Sequence, residues 1–447
     1  MIDGMNGDTH VNGYRDLRIA LLGAGSVGSQ VARLLLEQGD ELAARIGARP
    51  QLIGIAVRDL DAKRDAELPR ELLTTDAEQL VLGADIVIEL MGGIEPARSL
   101  ILRALEGGAD VVSGNKALFA AHGPELSEAA EQVGAQLFYE AAVAGAIPII
   151  RPLRESLAGD HITRVMGIVN GSTNYILDRM DRFGASAEDA MRIASELGYL
   201  EADPTLDVEG YDAAQKATIL ASIAFHTEVP VDSVHREGIT SVTAAQIEAA
   251  KHAGCVIKLL AIAERLTNED GIEGVSARVY PALISREHPL AAVHGGKNAV
   301  FVEAEAAGEL MFYGAGAGGV ETASAVLGDL VTAARRHVAG GPGIPGSAHA
   351  DLPVLPIDDV YTRYQIMLQV RDEPGVLAAI AGLLSEHGVS AASVEQSVPQ
   401  EGEAAGNASL VIGTHTAREA DLAATVAALR ESAVVAEVTS VLRLEGN

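Results

Sequence analysis

Apolar residues fall along this chain in two alternating kinds of pattern. Residues 18–22 (RIALL) are a short continuous apolar run, which reads as a strand buried on both faces. SQVARLLLEQ follows closely, with its apolar positions at helical spacing. A second run, LIGIAV, spans 52–57. A helix is expected over 76–82, opened by a capping box at Thr75-x-x-Glu78. ADIVIELM then reads as a strand leading to Gly92-Gly93, and a helix near 96–107 precedes the strand DVVSG. This β-α-β alternation predicts an N-terminal doubly wound parallel sheet over 15–150.

Residues 151–338 mix the two patterns and predict an α+β domain. Ser186-x-x-Asp189 reads as the cap of a helix ending near Gly198, and DAAQKATILASIAF (212–225) as a strong helix. The segments 275–284 and 298–306 read as strands, and His252 and Cys255 are placed on one helix. Four Gly and four Pro between Ala339 and Pro356 mark a linker over 339–360. Beyond it, YQIMLQV, PGVLAAIAGLLSEHG, ASLVIGTH, a helix over 417–430 and VTSVLRL fit a β-α-β-β-α-β, ferredoxin-like module over 361–447.

Composition narrows the function. A net charge of −29 repels phosphate backbones and anionic headgroups, so neither nucleic acid nor a membrane surface is an expected partner. The single Cys255 leaves no disulfide framework and no cysteine-based metal site. Its reading as a buried structural thiol is preferred over a His252–Cys255 nucleophile. No apolar run approaches a membrane span, and the polar start MIDGMNGDTH lacks a signal-peptide pattern. The expected location is the cytoplasm.

Between the first strand and helix lies Gly23-Ala-Gly25-Ser26-Val27-Gly28. In a Rossmann setting Gly23 permits a tight turn, Gly25 lets the backbone approach a pyrophosphate, and Gly28 allows close packing of the helix. The helix N-terminus supplies free N–H groups, which would let so acidic a chain hold a phosphate. The alternative is an ordinary glycine-rich turn. Arg58 stands where NAD-preferring proteins usually carry an acid, and Lys63 and Arg64 are close by. A cation there suits the 2′-phosphate of NADP, so NADP is preferred over NAD. Asp59, next in the chain, weakens that reading, and a solvated arginine is its alternative.

The densest chemistry is GYLEADPTLDVEGYDAAQKATIL, residues 198–220, where Glu201, Asp203, Asp207, Glu209 and Asp212 crowd together. Asp212 and Lys216 are four apart on a predicted helix and share a face. A lysine beside carboxylates can exchange a proton with an alcohol–carbonyl pair, and the other acids suit an ammonium-bearing substrate. An acidic surface turn with an ordinary i,i+4 pair fits the same residues. An EF-hand does not, because the sixth position of a loop from Asp203 is Val208.

This stretch closely resembles the signature of the homoserine dehydrogenase family. SGNKAL (113–118), YEAAVAGAIPII (139–150), GIVNGSTNYIL (167–177) and FYGAGAGG (312–319) resemble its other blocks, in family order. VRDEPGVLAAIAGLL (370–384) looks like part of an ACT domain, a type that commonly binds amino acids. The resemblance implies reversible, NAD(P)-dependent interconversion of L-homoserine and L-aspartate 4-semialdehyde, in threonine, methionine and isoleucine biosynthesis. It implies Lys216 and Lys116 as catalytic lysines, assisted by Asp212, with Lys116 also binding the cofactor near its nicotinamide and Glu201 and Asp207 binding substrate. Glu140 and the carbonyls of Val143, Gly145 and Ile147 are implied to hold a monovalent cation, Na⁺ or K⁺. Gly318, in a late glycine-rich loop, is implied to close over the cofactor. A homodimer or homotetramer with L-threonine as inhibitor completes the expectation. Two departures stand out: Gly114 where the family commonly has Ala, and Glu321 where many members have Pro. The alternative from another class is a catalytically silent sensor of nucleotide and amino acid.

Overall fold

The apolar run at the start becomes β1 (Asp16–Leu22), near the middle of a six-stranded parallel sheet in a computed structural model that describes residues 15–341, 346, 348–397 and 407–446. The other strands are β2 (Arg49–Ala56), β3 (Leu73–Thr74), β4 (Ile86–Glu89), β5 (Asp110–Ser113) and β6 (Leu137–Phe138), in the order β3-β2-β1-β4-β5-β6. Leu17, Ile19, Leu21, Ile86, Ile88 and Val112 are fully buried, which is why these strands read as continuous apolar runs. The connecting helices are α1 (Ser26–Glu37), α2 (Gly39–Ile46), α3 (Ala77–Leu82), α4 (Ala97–Glu106) and α5 (Lys116–Val133). The cap of α3 differs from expectation. The helix starts at Ala77, so Asp76, not Thr75, accepts the Gln79 N–H, at 2.9 Å.

The second sheet begins with β7 (Ile162–Ile168) and continues through β8 (His235–Arg236), β9 (Cys255–Thr267), β10 (Glu273–Ser285), β11 (Lys297–Ala304) and β12 (Gly308–Ala315). Its helices are α6 (Gly171–Phe183), α7 (Ala187–Glu196), α8 (Thr205–Val208), α9 (Tyr211–Phe225) and α10 (Ala244–His252). Ser186 caps α7 as expected, its hydroxyl accepting the Asp189 N–H. Cys255 is not on a helix with His252. Gly254 takes a left-handed φ of +68° after α10, and Cys255 opens β9, whose run CVIKLLAIA is buried throughout. A strand buried on both faces has no alternation, so periodicity cannot separate it from a helix.

Next comes α11 (Gly319–Ala339), which the sequence placed with the second domain. It belongs instead with the first sheet: Val326, Leu330 and Ala333 share a core with Leu17, Ile19 and Val31. One unit therefore comprises the chain up to Pro148 plus Ala317–Gly346, and the other Ile149–Gly316 plus the chain from Ser347 onward.

The C-terminal elements are β13 (Tyr361–Arg371), α12 (Val376–Glu386), β14 (Ala391–Ser397), β15 (Asn407–Thr414), β16 (Ala417–Arg418), α13 (Glu419–Glu431) and β17 (Val435–Glu445). The helices cover a core of Ile366, Leu368, Ile380, Leu384, Leu422 and Leu429. β17 pairs in parallel with β10, Ala282 opposite Arg443, and one sheet runs β12-β11-β7-β9-β10-β17-β13-β15-β14. The end of the Gly/Pro-rich stretch is tied down too: Val275 N–H donates to Pro353 O at 2.9 Å, and Leu355 N–H to Val275 O at 2.8 Å. Residues 342–345 and 347 of that stretch, and the polar start 1–14, lie outside the described residues. Among the described residues no helix is long and apolar enough to cross a membrane.

Truncating Leu330 to Ala should destabilise the first unit by about 2–5 kcal/mol, the usual range for a fully buried leucine. Denaturant unfolding measures it, and a loss under about 1 kcal/mol would remove α11 from that core.

Candidate active site

The loop after β1 is built around its three glycines. Gly23 has φ +99°, and a Cβ there would lie 2.6 Å from Leu90 O. A Cβ on Gly28 would strike the Gly23 carbonyl, so Gly28 packs against the loop rather than the strand. Gly25 faces open space. Ser26, Val27 and Gly28 form the first turn of α1, which carries no acid. Free backbone N–H groups, a helix N-terminus and an unobstructed approach suit a pyrophosphate. The N-terminus of α11 is close by: a Cβ on Gly319 would lie 2.9 Å from Ser26 O, and Gly318, at φ +134°, is the N-cap. Glu321 folds back onto Gly318, where any side chain would meet its carboxylate.

A cleft of about 1090 Å³ extends from this loop and is lined by Gly23, Gly25, Arg58, Lys63, Met91 and Arg103. The nearby cations differ in what they are doing. Arg64 donates to the carbonyls of Asp59 and Ala62, and Arg103 pairs with Glu78 at 2.6 Å. Arg58 and Lys63 are exposed, and among the described residues their side chains make no hydrogen bond or ion pair.

Lys116 is the first residue of α5, capped by Asn115, whose Oδ1 accepts the Leu118 N–H and whose Nδ2 donates to Gly93 O at 2.6 Å. Glu89, beside the cleft-lining Leu90 and Met91 and given no role by the sequence, ends β4 fully buried. It accepts the Ser113 hydroxyl and the Met91 N–H, both at 2.7 Å. Burial pushes its carboxyl above the usual carboxylate range. The available signal was an acid closing the apolar strand IVIE.

Four of the acidic-stretch and neighbouring residues converge in the second unit. Lys216 Nζ donates to Asp212 Oδ2 at 2.7 Å and to Val169 O at 2.6 Å. Asn170 Nδ2 donates to the same Asp212 oxygen at 2.9 Å and to Asp207 Oδ1 at 2.6 Å. Both Lys216 and Asp212 are buried, so the surface-turn reading of this pair is excluded. Asn170 also caps α6 through Oδ1, which accepts the Thr173 N–H at 2.9 Å, so one side chain fixes a helix start and two acids. Its sequence signal was its place in GIVNGSTNYIL. The turn into α9 needs Gly210, at φ +79°. Glu201 is exposed and lies outside this hydrogen-bonded cluster.

Glu140 is buried in a short turn, Glu140–Ala142, and its N–H donates to Asp329 Oδ2 on α11 at 2.8 Å. Ala144 and Gly145 both take left-handed φ, +58° and +56°, curling the segment that carries the carbonyls of Val143, Gly145 and Ile147. A buried carboxylate with main-chain carbonyls is a donor set for a hard cation. Among the described residues no three His, Cys, Asp or Glu side chains cluster as a metal site. Cys255 is buried, and burial pushes its thiol up, away from thiolate chemistry.

A parallel sheet with a phosphate-ready glycine loop, and a buried lysine–carboxylate pair able to exchange an alcohol proton, define a nicotinamide-nucleotide dehydrogenase. Comparison with known proteins is specific. Residues 23–140 match the family model for the homoserine dehydrogenase NAD-binding domain, 148–331 that for homoserine dehydrogenase, and 364–433 that for the ACT domain. A homoserine dehydrogenase of Mycobacterium tuberculosis is 56% identical over 431 residues, 96% of this chain and 97% of that one. One from Bacillus subtilis is 40% identical over 435 residues, 96% and 99% of the two chains. A crystal structure of a homoserine dehydrogenase from Thiobacillus denitrificans matches with TM-score 0.89 at 39% identity, over 97% of this chain and 99% of that one. A hyperthermophilic archaeal homoserine dehydrogenase in complex with NADPH matches with TM-score 0.59 at 27% identity, over 73% and 99%. The chain belongs to the homoserine dehydrogenase family of NAD(P)-dependent oxidoreductases and carries an ACT domain.

Asn170→Ala removes a donor shared by Asp207 and Asp212. It should lower kcat/KM by about ten- to a hundredfold, from the 1.5–3 kcal/mol typical of a hydrogen bond to a charged group. Steady-state kinetics that stay within threefold of the wild type would deny Asn170 this role.

Proposed function

We propose that this chain interconverts L-homoserine and L-aspartate 4-semialdehyde, with Lys216 as the group that exchanges the hydroxyl proton. The observation that carries the reading is the cluster of buried Lys216, Asp212 and Asn170 with half-buried Asp207. In the oxidation, the C4 hydroxyl loses its proton to Lys216 Nζ as a carbonyl forms; in the reduction, Nζ returns it. The nicotinamide ring, when bound, takes or gives the hydride at C4 of the substrate. Asp212 and the Val169 carbonyl hold Nζ in place through both directions. Asp207 and Glu201 bind the substrate's ammonium end, and Lys116, at the start of α5, is the second catalytic lysine.

NADP is the preferred cofactor over NAD. Exposed, unpaired Arg58 and Lys63 at the cleft support this, because a 2′-phosphate supplies the charge they lack. Gly23, Gly25, Ser26, Val27 and Gly28 hold the pyrophosphate, and Gly318 closes on the cofactor. Glu140, with the carbonyls of Val143, Gly145 and Ile147, holds Na⁺ or K⁺, which keeps this buried turn in shape. L-threonine binds the ACT module at the turn 371–377, where a 340 Å³ pocket meets the start of α12, and inhibits the enzyme. The working form is a cytoplasmic homodimer or homotetramer.

The direct test is absorbance at 340 nm with aspartate semialdehyde and NADPH or NADH; no oxidation of either cofactor would overturn the reading. Lys216→Ala should lower kcat by about 10²–10⁴-fold, the usual worth of a positioned acid–base group, while cofactor binding by fluorescence titration stays intact. Retention of kcat within a few fold assigns the proton elsewhere. Arg58→Asp should raise the NADPH KM by about tenfold or more, from the 1.5–3 kcal/mol of a charge-assisted contact, and spare NADH. Unchanged KM values for both cofactors would show that Arg58 does not read the phosphate.

A further inference from the structure

The segment Arg236–Thr240 lies across the turn that precedes α9. Ile239 N–H donates to Val208 O at 2.8 Å. The Arg236 guanidinium donates to Glu209 O and stacks over the Tyr211 ring, 3.5 Å from its centroid. Thr240 Oγ1 donates to Glu209 Oε1 at 2.9 Å. Gly238 is pressed so closely that a Cβ there would lie 2.6 Å from Glu209 Cα. These contacts all fall on residues 208–211, between Asp207 and Asp212. The main chain that presents both acids is therefore held from outside the cluster itself.

The same strap is joined to the C-terminal module. Glu237 N–H donates to Val279 O on β10 at 2.7 Å. Its Oε1 accepts Arg443 Nη1 at 2.8 Å and lies 2.8 Å from His235 Nε2. Arg443, on β17, also donates through Nε and Nη2 to Glu419 at 2.7 and 3.2 Å. Glu419 opens α13, is buried, and accepts the Tyr364 hydroxyl of β13 at 2.7 Å. A single guanidinium fork thus spans a buried carboxylate of the module and the carboxylate of the strap.

The two ends of this fork differ in strength. The Glu419 end is buried, and separating it would strand a charge in the interior. The Glu237 side chain is 44% exposed, so water can replace that pair at small cost. A change in the module moves Arg443 with it and gives way at Glu237.

We propose that Arg236–Thr240 is a positioning strap for the substrate-holding turn 207–212, and that the Arg443–Glu237 pair is the link through which the C-terminal module acts on it. This rests on the reading above that Asp207 and Asp212 serve the substrate. With the pair formed, the turn is clamped and the acids are aligned. With it broken, the strap loosens and homoserine binds less well, while the cofactor loop, in the other unit, is untouched.

The test uses the full-length enzyme with Glu237→Gln, Arg443→Lys and wild type compared. Glu237→Gln should raise the homoserine KM by about three- to tenfold, the scale of a partly exposed ion pair plus its coupled contacts. The NADP KM and the unfolding temperature should stay at wild-type values. Arg443→Lys keeps the charge but loses the fork that reaches both Glu419 and Glu237, and should raise the homoserine KM to a similar degree. The threonine concentration giving half-inhibition should shift in both Glu237→Gln and Arg443→Lys. An unchanged homoserine KM in Glu237→Gln overturns the strap, as does a KM rise for both substrates with a lowered unfolding temperature. If homoserine KM shifts but the threonine response does not, the strap stands as a positioning element and its link to the module is refuted. A wild type that ignores threonine removes the threonine reading alone, and homoserine KM still decides the strap.

Discussion

A lysine side-chain nitrogen taken into a protein interior must be met by carboxylate and carbonyl oxygens. Lys216 is such a group, and the architecture around it follows from that demand. Asp212 is one helical turn away on α9, and the Val169 carbonyl comes from the end of β7. Asp212 in turn needs a second donor, which Asn170 supplies. Asn170 can do so only because α6 starts where it does, with the same side chain capping the helix. A helix start, a strand end and a left-handed glycine at 210 are thereby tied to one nitrogen atom.

The sheet gives this cluster its rigidity. β7, β9 and β10 are buried strands at its centre, and β10 is paired on both sides, with β9 and β17. Because β17 is the last strand of the ACT module, that module extends the catalytic sheet instead of hanging from it. Removing it would expose the edge of β10, which is why point substitutions probe its function more cleanly than truncation.

In the nucleotide-binding unit the constraint is electrostatic. A chain of net charge −29 can hold a phosphate only where the local field is reversed. Backbone N–H groups at the start of α1 do this without a formal charge, and the exposed Arg58 and Lys63 add positive charge farther along the cleft. α11 completes this unit from later in the chain, after the break between Pro148 and Ala317, packing its apolar face on α1 and the parallel sheet.

Local sequence determined whatever depends on near neighbours. The glycine loop, the Asp212–Lys216 spacing, the Ser186 cap and the ferredoxin-like order of the last module were all legible, because turn, helix face and cap are set within a few residues. The fold family was legible too, since its blocks occur in order along most of the chain. Tertiary structure decided what depends on partners distant in sequence. The strand β9 was hidden because burial on both faces erases alternation. The allegiance of α11 could not be read because an amphipathic helix does not name the surface it covers. Asn170 and Glu89 showed no role because their partners, Asp207 and Asp212 for one and Ser113 for the other, come from other elements. The joining of β10 to β17 is a hydrogen-bond pairing between main chains, and main-chain pairing leaves no mark in the side chains from which a sequence is read.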